Sequence, residues 1–212
     1  MEIDYKLYKP TLDSLTPRQQ ILYNRDIPVE EQSNWLNAYW NDVNDFHLLK
    51  NIKEAAVMII NHCMRASSKI TILQDCDGDG VCSTAIIANY INRICGKEPK
   101  ILIHKDKTHG LIDMNLDEII KDTSLLIIPD SSSNDYEQHK YLHDNSVDIV
   151  IADHHHCEKY SEDAIVVNNQ LDDYPNKNLC GTGVVWQICR QIDEMCNFNY
   201  ANDLVDICVL GV

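Results

Sequence analysis

Residues 72–85 read ILQDCDGDGVCSTA, which sets Asp75, Asp77 and Asp79 at alternate positions directly after an apolar run. Three carboxylates this close repel one another unless something positive compensates them, and a bound cation is the natural counterpart. Two further clusters carry metal-ligating chemistry: Asp130, at the end of LLIIPD, and Asp153-His154-His155-His156, at the end of VDIVIADHHH. Carboxylate oxygens with imidazole suit Mn²⁺ or Mg²⁺ ahead of Zn²⁺ or Fe²⁺, since thiolates do not dominate the set. Cys76 sits among the aspartates, but in an extended backbone it should point away from Asp75 and Asp77. Two ions a few ångströms apart, bridged by carboxylates, are a common means of hydrolysing phosphate esters, because they activate water and stabilise charge on the phosphorus oxygens.

A calcium loop of the EF-hand type is the rival reading. Asp75, Asp77, Asp79 and Gly80 fit its positions one, three, five and six. The bidentate Glu required at position twelve is Ile86, however, and the preceding Lys69–Leu73 is β-branched and strand-like where a helix is needed. A strand, a turn and a helix beginning near Gly80 fit better, with the turn at the carboxyl end of a strand where α/β sheets place their ligands.

The elements that must position these groups alternate. Strand-like runs fall at 70–73, 100–103, 124–128, 147–151 and 164–167, and helical stretches at 81–94, 134–144 and 182–195. Residues 52–64 form an amphipathic helix, two short proline-started helices lie near 17–23 and 28–38, and 200–210 is helical. The pattern predicts an α/β fold: a mainly parallel sheet with helices on both faces, preceded by a helical lead-in over 1–66, with the catalytic domain over 67–212. Three parallel strands then end in metal ligands on one edge of the sheet.

Composition narrows the function. The 212 residues suffice for a substantial core, and 44 % hydrophobic and 7 % aromatic content are ordinary. The N-terminus lacks a signal-peptide core and no apolar run is long enough to span a bilayer, so a soluble, cytoplasmic protein is expected. Nine cysteines without a CxxC spacing read as reduced thiols. A net charge of −15 argues against coating nucleic acid electrostatically, although bound cations can reverse the potential locally.

The motifs together resemble the DHH phosphoesterases, named for the Asp-His-His triplet that Asp153-His154-His155 reproduces. QDCDGDGVCSTA is similar to their first motif, particularly in the RecJ branch. IIPDSSSND stands where the second belongs, and VNNQLDDYPNKNLCGTGVVWQI resembles the fourth region. The segments ILYNRDIPVEEQSNWLN and LLKNIKEAAVMIINHCMRASSKITI look like those that precede the first motif, so the resemblance runs along nearly the whole chain. It implies a DHH-like fold with Asp77, Asp79, Asp130 and His154 as ligands of two Mn²⁺ or Mg²⁺ ions, Asp130 bridging, and Asp75 either a further metal ligand or only a support. Asp77, Asp79, Asp130, His154 and His155 would be catalytic, with His155 near the scissile phosphate, and Asp153 would orient an imidazole. His156 reads as a simple additional histidine. Gly181 and Gly183 could bring backbone N–H groups at a helix start to a phosphate, or form a plain tight turn.

Some positions depart from the family pattern. Leu73 replaces a histidine found in other DHH branches, which favours the RecJ branch. The loop IHKDKTHGL lacks the Arg and Gly-Tyr-Gly usual in RecJ proteins, and Lys105, Lys107 and His109 either bind phosphate there or belong to a solvated loop. Val212 precedes the place of a further ligating Asp and of the family's strand-binding domain, so the expected object is a catalytic-domain fragment, a split product or a minimal relative. The resemblance implies a 5′-to-3′ exonuclease acting on single-stranded DNA. The alternatives are a phosphodiesterase for short oligonucleotides or cyclic dinucleotides, and a catalytically silent module that binds a replication or repair partner.

Overall fold

The computed structural model describes residues 9–37, 42–104 and 109–211. They fall into two compact units, one through Asn44 and one from Asp45 onward. The first holds α1 (Pro17–Asn24) and α2 (Val29–Leu36). Thr16 starts α1 with a capping box: its hydroxyl accepts from the Gln19 N–H, and its own N–H donates to Gln19 Oε1.

The second unit is built on five parallel strands: β1 (Ile70–Gln74), β2 (Lys100–Ile103), β3 (Leu125–Pro129), β4 (Asp148–Asp153) and β5 (Ile165–Asn168). Their order is β2-β1-β3-β4-β5. Ile72 pairs with Ile127, Ile127 with Val150, and Val150 with Ile165, so the strands run in near register and their carboxyl ends share one edge. The chain moves outward from β1 to β2 and then returns to the other side of β1 for β3. This reversal opens a crevice at the ends of β1 and β3, the place where doubly wound sheets bind ligands.

Side chains alternate between the two faces. On one face Leu126, Ile128, Ile149, Ile151 and Val166 pack with Ile119 and Leu142, which come from α5 (Leu116–Lys121) and α6 (Tyr136–Asp144). The other face meets α4 (Gly78–Cys95) and α7 (Gly181–Cys196), which also pack on each other. α3 (Ile52–Met64) packs on α7 and β5, and so belongs with the sheet rather than with the first unit; α8 (Val205–Leu210) lies on α4 and α7. The sheet with helices on both faces is therefore as the alternation of elements predicts. The helix α5 is an addition. Its six residues are too short to show a helical period, and it is fixed by Asn115, whose side chain caps the Glu118 N–H, and by burial of Ile119. Among the described residues, no helix is long and apolar enough to cross a membrane.

Candidate metal centre

Each strand that faces the crevice delivers its polar residues by a different local device. After β1 the chain leaves the extended conformation at once. Asp75 is 1 % exposed, and Asp77 caps α4 by accepting the Gly80 N–H at 3.0 Å. Gly80 is required by packing: a Cβ there would collide with Asp75. The early bend also corrects the expectation for Cys76. Its sulfur does not turn away from Asp75; it lies 3.9 Å from His109 Nε2, and His109 Nδ1 lies 2.9 Å from both Asp75 oxygens. The expectation assumed an extended backbone, which ends at Gln74.

After β3, Asp130 adopts φ 68° and is wholly buried. A non-glycine residue in the left-handed region marks backbone strain of the kind found at functional sites. Neither carboxylate oxygen has a hydrogen bond of good geometry. Burial drives this carboxyl up to about 7, the His154 ring opposing and the Asp79 and Asp77 charges adding to the rise. A buried carboxylate whose one close polar partner is an imidazole, without a well-aligned hydrogen bond, is a costly object in a folded chain unless a cation completes it. Gly181 makes room for it, since a Cβ at that position would strike the Asp130 carboxylate.

After β4, Asp153 organises the histidines. Its Oδ1 accepts the His154 and His155 N–H groups at 2.7 and 3.2 Å and lies 2.8 Å from His155 Nδ1, while its Oδ2 accepts the Ser133 N–H. Burial raises the Asp153 carboxyl, but these bonds outweigh it and hold the group below its ordinary value. The pairing with Asp153 pushes the His155 imidazole up to about 9, so it is cationic at neutral pH. His154 Nε2 reaches 3.2 Å from Asp130 and 3.5 Å from Asp79, and its proton is held chiefly by Asp130.

Asp75, Asp77 and Asp130 thus each offer an oxygen to one small volume, and Asp130, His154 and His155 offer donors to a second. Asp79 is placed differently. The N–H groups of Gly181 and Thr182 donate to its carboxylate at 2.8 and 2.7 Å, and the Thr182 hydroxyl donates to it as well. The Gly183 N–H donates to Cys180 Sγ. The start of α7 therefore holds the chain's own carboxylate, and Gly181 and Gly183 do not present free N–H groups to a phosphate. A negative side chain at a helix N-terminus is the same electrostatic solution, satisfied from within. His156 is exposed. Lys105 and Lys107 lie outside the described residues.

Three contributors are invisible in the sequence pattern. Ser131 and Ser132 have buried hydroxyls without partners, and with His109, Gly110, Ser133 and His155 they line a cleft of about 310 Å³ that opens on Asp130. Asn168, at the end of β5, donates to Ser133 Oγ and to the His155 carbonyl. A serine run and an asparagine pair carry no periodic signal, and only the convergence of strand ends exposes their role.

The model of the DHH family N-terminal domain matches residues 69–212. The chain belongs to the DHH family. A prophage SPbeta-derived protein of Bacillus subtilis (strain 168), provisionally named a single-strand DNA-specific exonuclease, YorK, is 38 % identical over 214 residues, which cover 99 % of this chain and 36 % of that protein. The single-stranded-DNA-specific exonuclease RecJ of Thermus thermophilus is 21 % identical over 164 residues, covering 77 % of this chain and 24 % of that one. Among solved structures, an exonuclease RecJ bound to manganese superposes with TM-score 0.71 at 21 % identity, over 80 % of this chain and 44 % of that chain. RecJ of Thermus thermophilus in complex with Mn²⁺ gives 0.70 at 20 % identity, over 92 % and 27 %. The fold is shared with these structures, and the chain spans about a third of the length of the first curated relatives it matches.

Proposed function

We propose that this chain carries the catalytic centre of a divalent-metal-dependent phosphodiesterase that removes nucleotides from the 5′ end of single-stranded DNA. The observation that supports it above all is Asp130, buried and strained beside Asp75 and Asp77, with the His154 ring 3.2 Å from one of its oxygens and no well-aligned hydrogen bond to either. The donor set is carboxylate and imidazole, which suits Mn²⁺ or Mg²⁺. Asp75, Asp77 and Asp130 would hold one ion, and Asp130 with His154 a second; Asp79, tied to the start of α7 but 3.5 Å from the His154 ring, would border the second. Bound there, the ions would supply Lewis-acid polarisation of the phosphodiester and a more acidic water.

The protein's own groups do the rest. Asp153 holds the His155 ring and the His154 backbone N–H, the His154 ring itself lies against Asp130, and the His155 cation is held at the cleft for a phosphate oxygen. The Ser131 and Ser132 hydroxyls are free to donate to the same ligand. The substrate rests on the names of the relatives. The polarity, and a place in DNA repair or recombination in the cytoplasm, rest on the resemblance to the RecJ branch.

The test is release of nucleotides from a 3′-labelled single-stranded DNA oligomer with Mn²⁺, with a labelled dinucleotide alongside. Shortening from the 5′ end in Mn²⁺ and none in EDTA is the expected result. Cleavage of the dinucleotide alone would move the chain to small substrates. Inertness toward both, with Mn²⁺ bound, would favour a silent binding module.

A further inference from the structure

Beside the oxygen-rich centre lies a second group of donors of different chemistry. Cys76 Sγ, His109 and Asp75 each place a ligand atom within 4.8 Å of the others. Sγ is 4.0 Å from His109 Nδ1, and Nδ1 is 2.9 Å from the Asp75 oxygens. A tetrahedral Zn²⁺ with usual bond lengths needs its sulfur and nitrogen ligands roughly 3.5 Å apart and its nitrogen and oxygen ligands roughly 3.3 Å apart. The first separation is longer than that and the second shorter, so rotations of the Cys76 and His109 side chains must close the one and open the other. Cys76 and His109 are exposed and free to make them, and Asp75 is held rigidly by burial. A fourth position is left to solvent.

We propose that Cys76, His109 and Asp75 form a site for a thiophilic divalent cation, Zn²⁺ above all, and that its occupancy withdraws Asp75 from the oxygen-rich centre. The ligand types separate the two sites: thiolate and imidazole select Zn²⁺, while Asp77 and Asp130 select harder ions. On binding, the Cys76 thiol gives its proton to solvent and the sulfur forms the bond to zinc. Because Asp75 is common to both groups, the two cations compete for one carboxylate. This second half of the proposal rests on the metal-centre reading above; the first half does not.

Titration of the whole chain with Co²⁺ as a spectroscopic stand-in for Zn²⁺ tests the site without any activity measurement. A thiolate-to-cobalt charge-transfer band is expected, reversed by Zn²⁺, and absent in Cys76→Ser and in His109→Ala, with both variants folded by circular dichroism. Cys196→Ser, which alters a cysteine at the far end of α7, should keep the band. Zn²⁺ affinity in Cys76→Ser should fall by more than the roughly 10–100-fold that loss of an outer partner costs. Free Mn²⁺, followed by its magnetic resonance signal, should rise at a lower Zn²⁺ dose in the Mn²⁺-loaded wild type than in Cys76→Ser, where Zn²⁺ must displace Mn²⁺ at the centre directly; equal doses would overturn the competition for Asp75. A band that persists in Cys76→Ser, or none in the wild type, overturns the site. A cobalt band with no Mn²⁺ bound by any form would leave the site standing and remove the metal-centre reading.

Discussion

At the scale of residues, Asp130 decides most. Its carboxyl sits at about 7 in the folded chain, against about 4 for an unfolded one. Between those values the folded state holds a proton that the unfolded state has lost, so without metal the protein loses stability as pH rises from about 4 to about 7 and is level above. Asp130→Asn removes that loss. In EDTA the variant should be more stable than wild type at about pH 8, by on the order of a few kcal/mol at most, and so melt at a higher temperature, and the gap should close toward about pH 4. With Mn²⁺ the order should reverse, because only the wild type gains by binding. Thermal melts at the two pH values check this. Hydrolysis by Asp130→Asn or Asp130→Ala should fall below about a thousandth of wild type, with the fold intact. Near-normal turnover would sink the assignment. The identity of Asp130 was legible because a lone carboxylate follows an apolar strand. Its backbone strain was not, since a positive φ at a non-glycine residue leaves no signal in the local sequence.

At the scale of elements, the helix starts position the site, and two glycines in similar positions make opposite predictions. Gly181 opens α7 against Asp130, where a Cβ has no room. Gly78 opens α4 with no atom within 4 Å of its would-be Cβ. Gly181→Ala should push the carboxylate or the helix aside and weaken Mn²⁺ binding by roughly 10–100-fold, as displaced outer partners do. Gly78→Ala should leave binding unchanged and raise stability by up to about 1 kcal/mol, since it reduces the freedom of the unfolded chain. Calorimetry of Mn²⁺ binding and melting of both variants separate the effects; equal behaviour of the two would remove the packing argument. The strands were legible because buried parallel strands are unbroken apolar runs, as Leu125–Ile128 shows, and α3 and α7 by their amphipathic period. The short α5 was not, and neither was the occupation of the α7 start by Asp79, which joins groups over a hundred residues apart in sequence. No local pattern encodes that contact. It appears only when α4 and α7 lie side by side on one face of the sheet.

At the scale of the whole molecule, charge sets how a strand can be held. The chain carries a net −15, so a polyanion meets net repulsion from the chain as a whole, which bound cations at the metal centre and the His155 cation would offset locally. A protein that tracks many phosphates releases many counterions, and its affinity falls steeply with salt, by roughly 0.7 log units per phosphate for each log unit of salt on single strands. Here few phosphates should be engaged at once, and screening of the acidic surface should offset part of their loss. KM for a single-stranded oligomer, measured with Mn²⁺ fixed and monovalent salt raised from about 20 to about 200 mM, should therefore change by no more than about fivefold, corresponding to one phosphate. A steep rise would reveal an extended basic track on this chain and count against a grip confined to the crevice at the ends of β1, β3 and β4. A flat profile with a KM that improves little as the oligomer grows from two nucleotides would mean that the centre alone holds the terminal residues, and that any grip on a longer strand must be supplied by other protein surface.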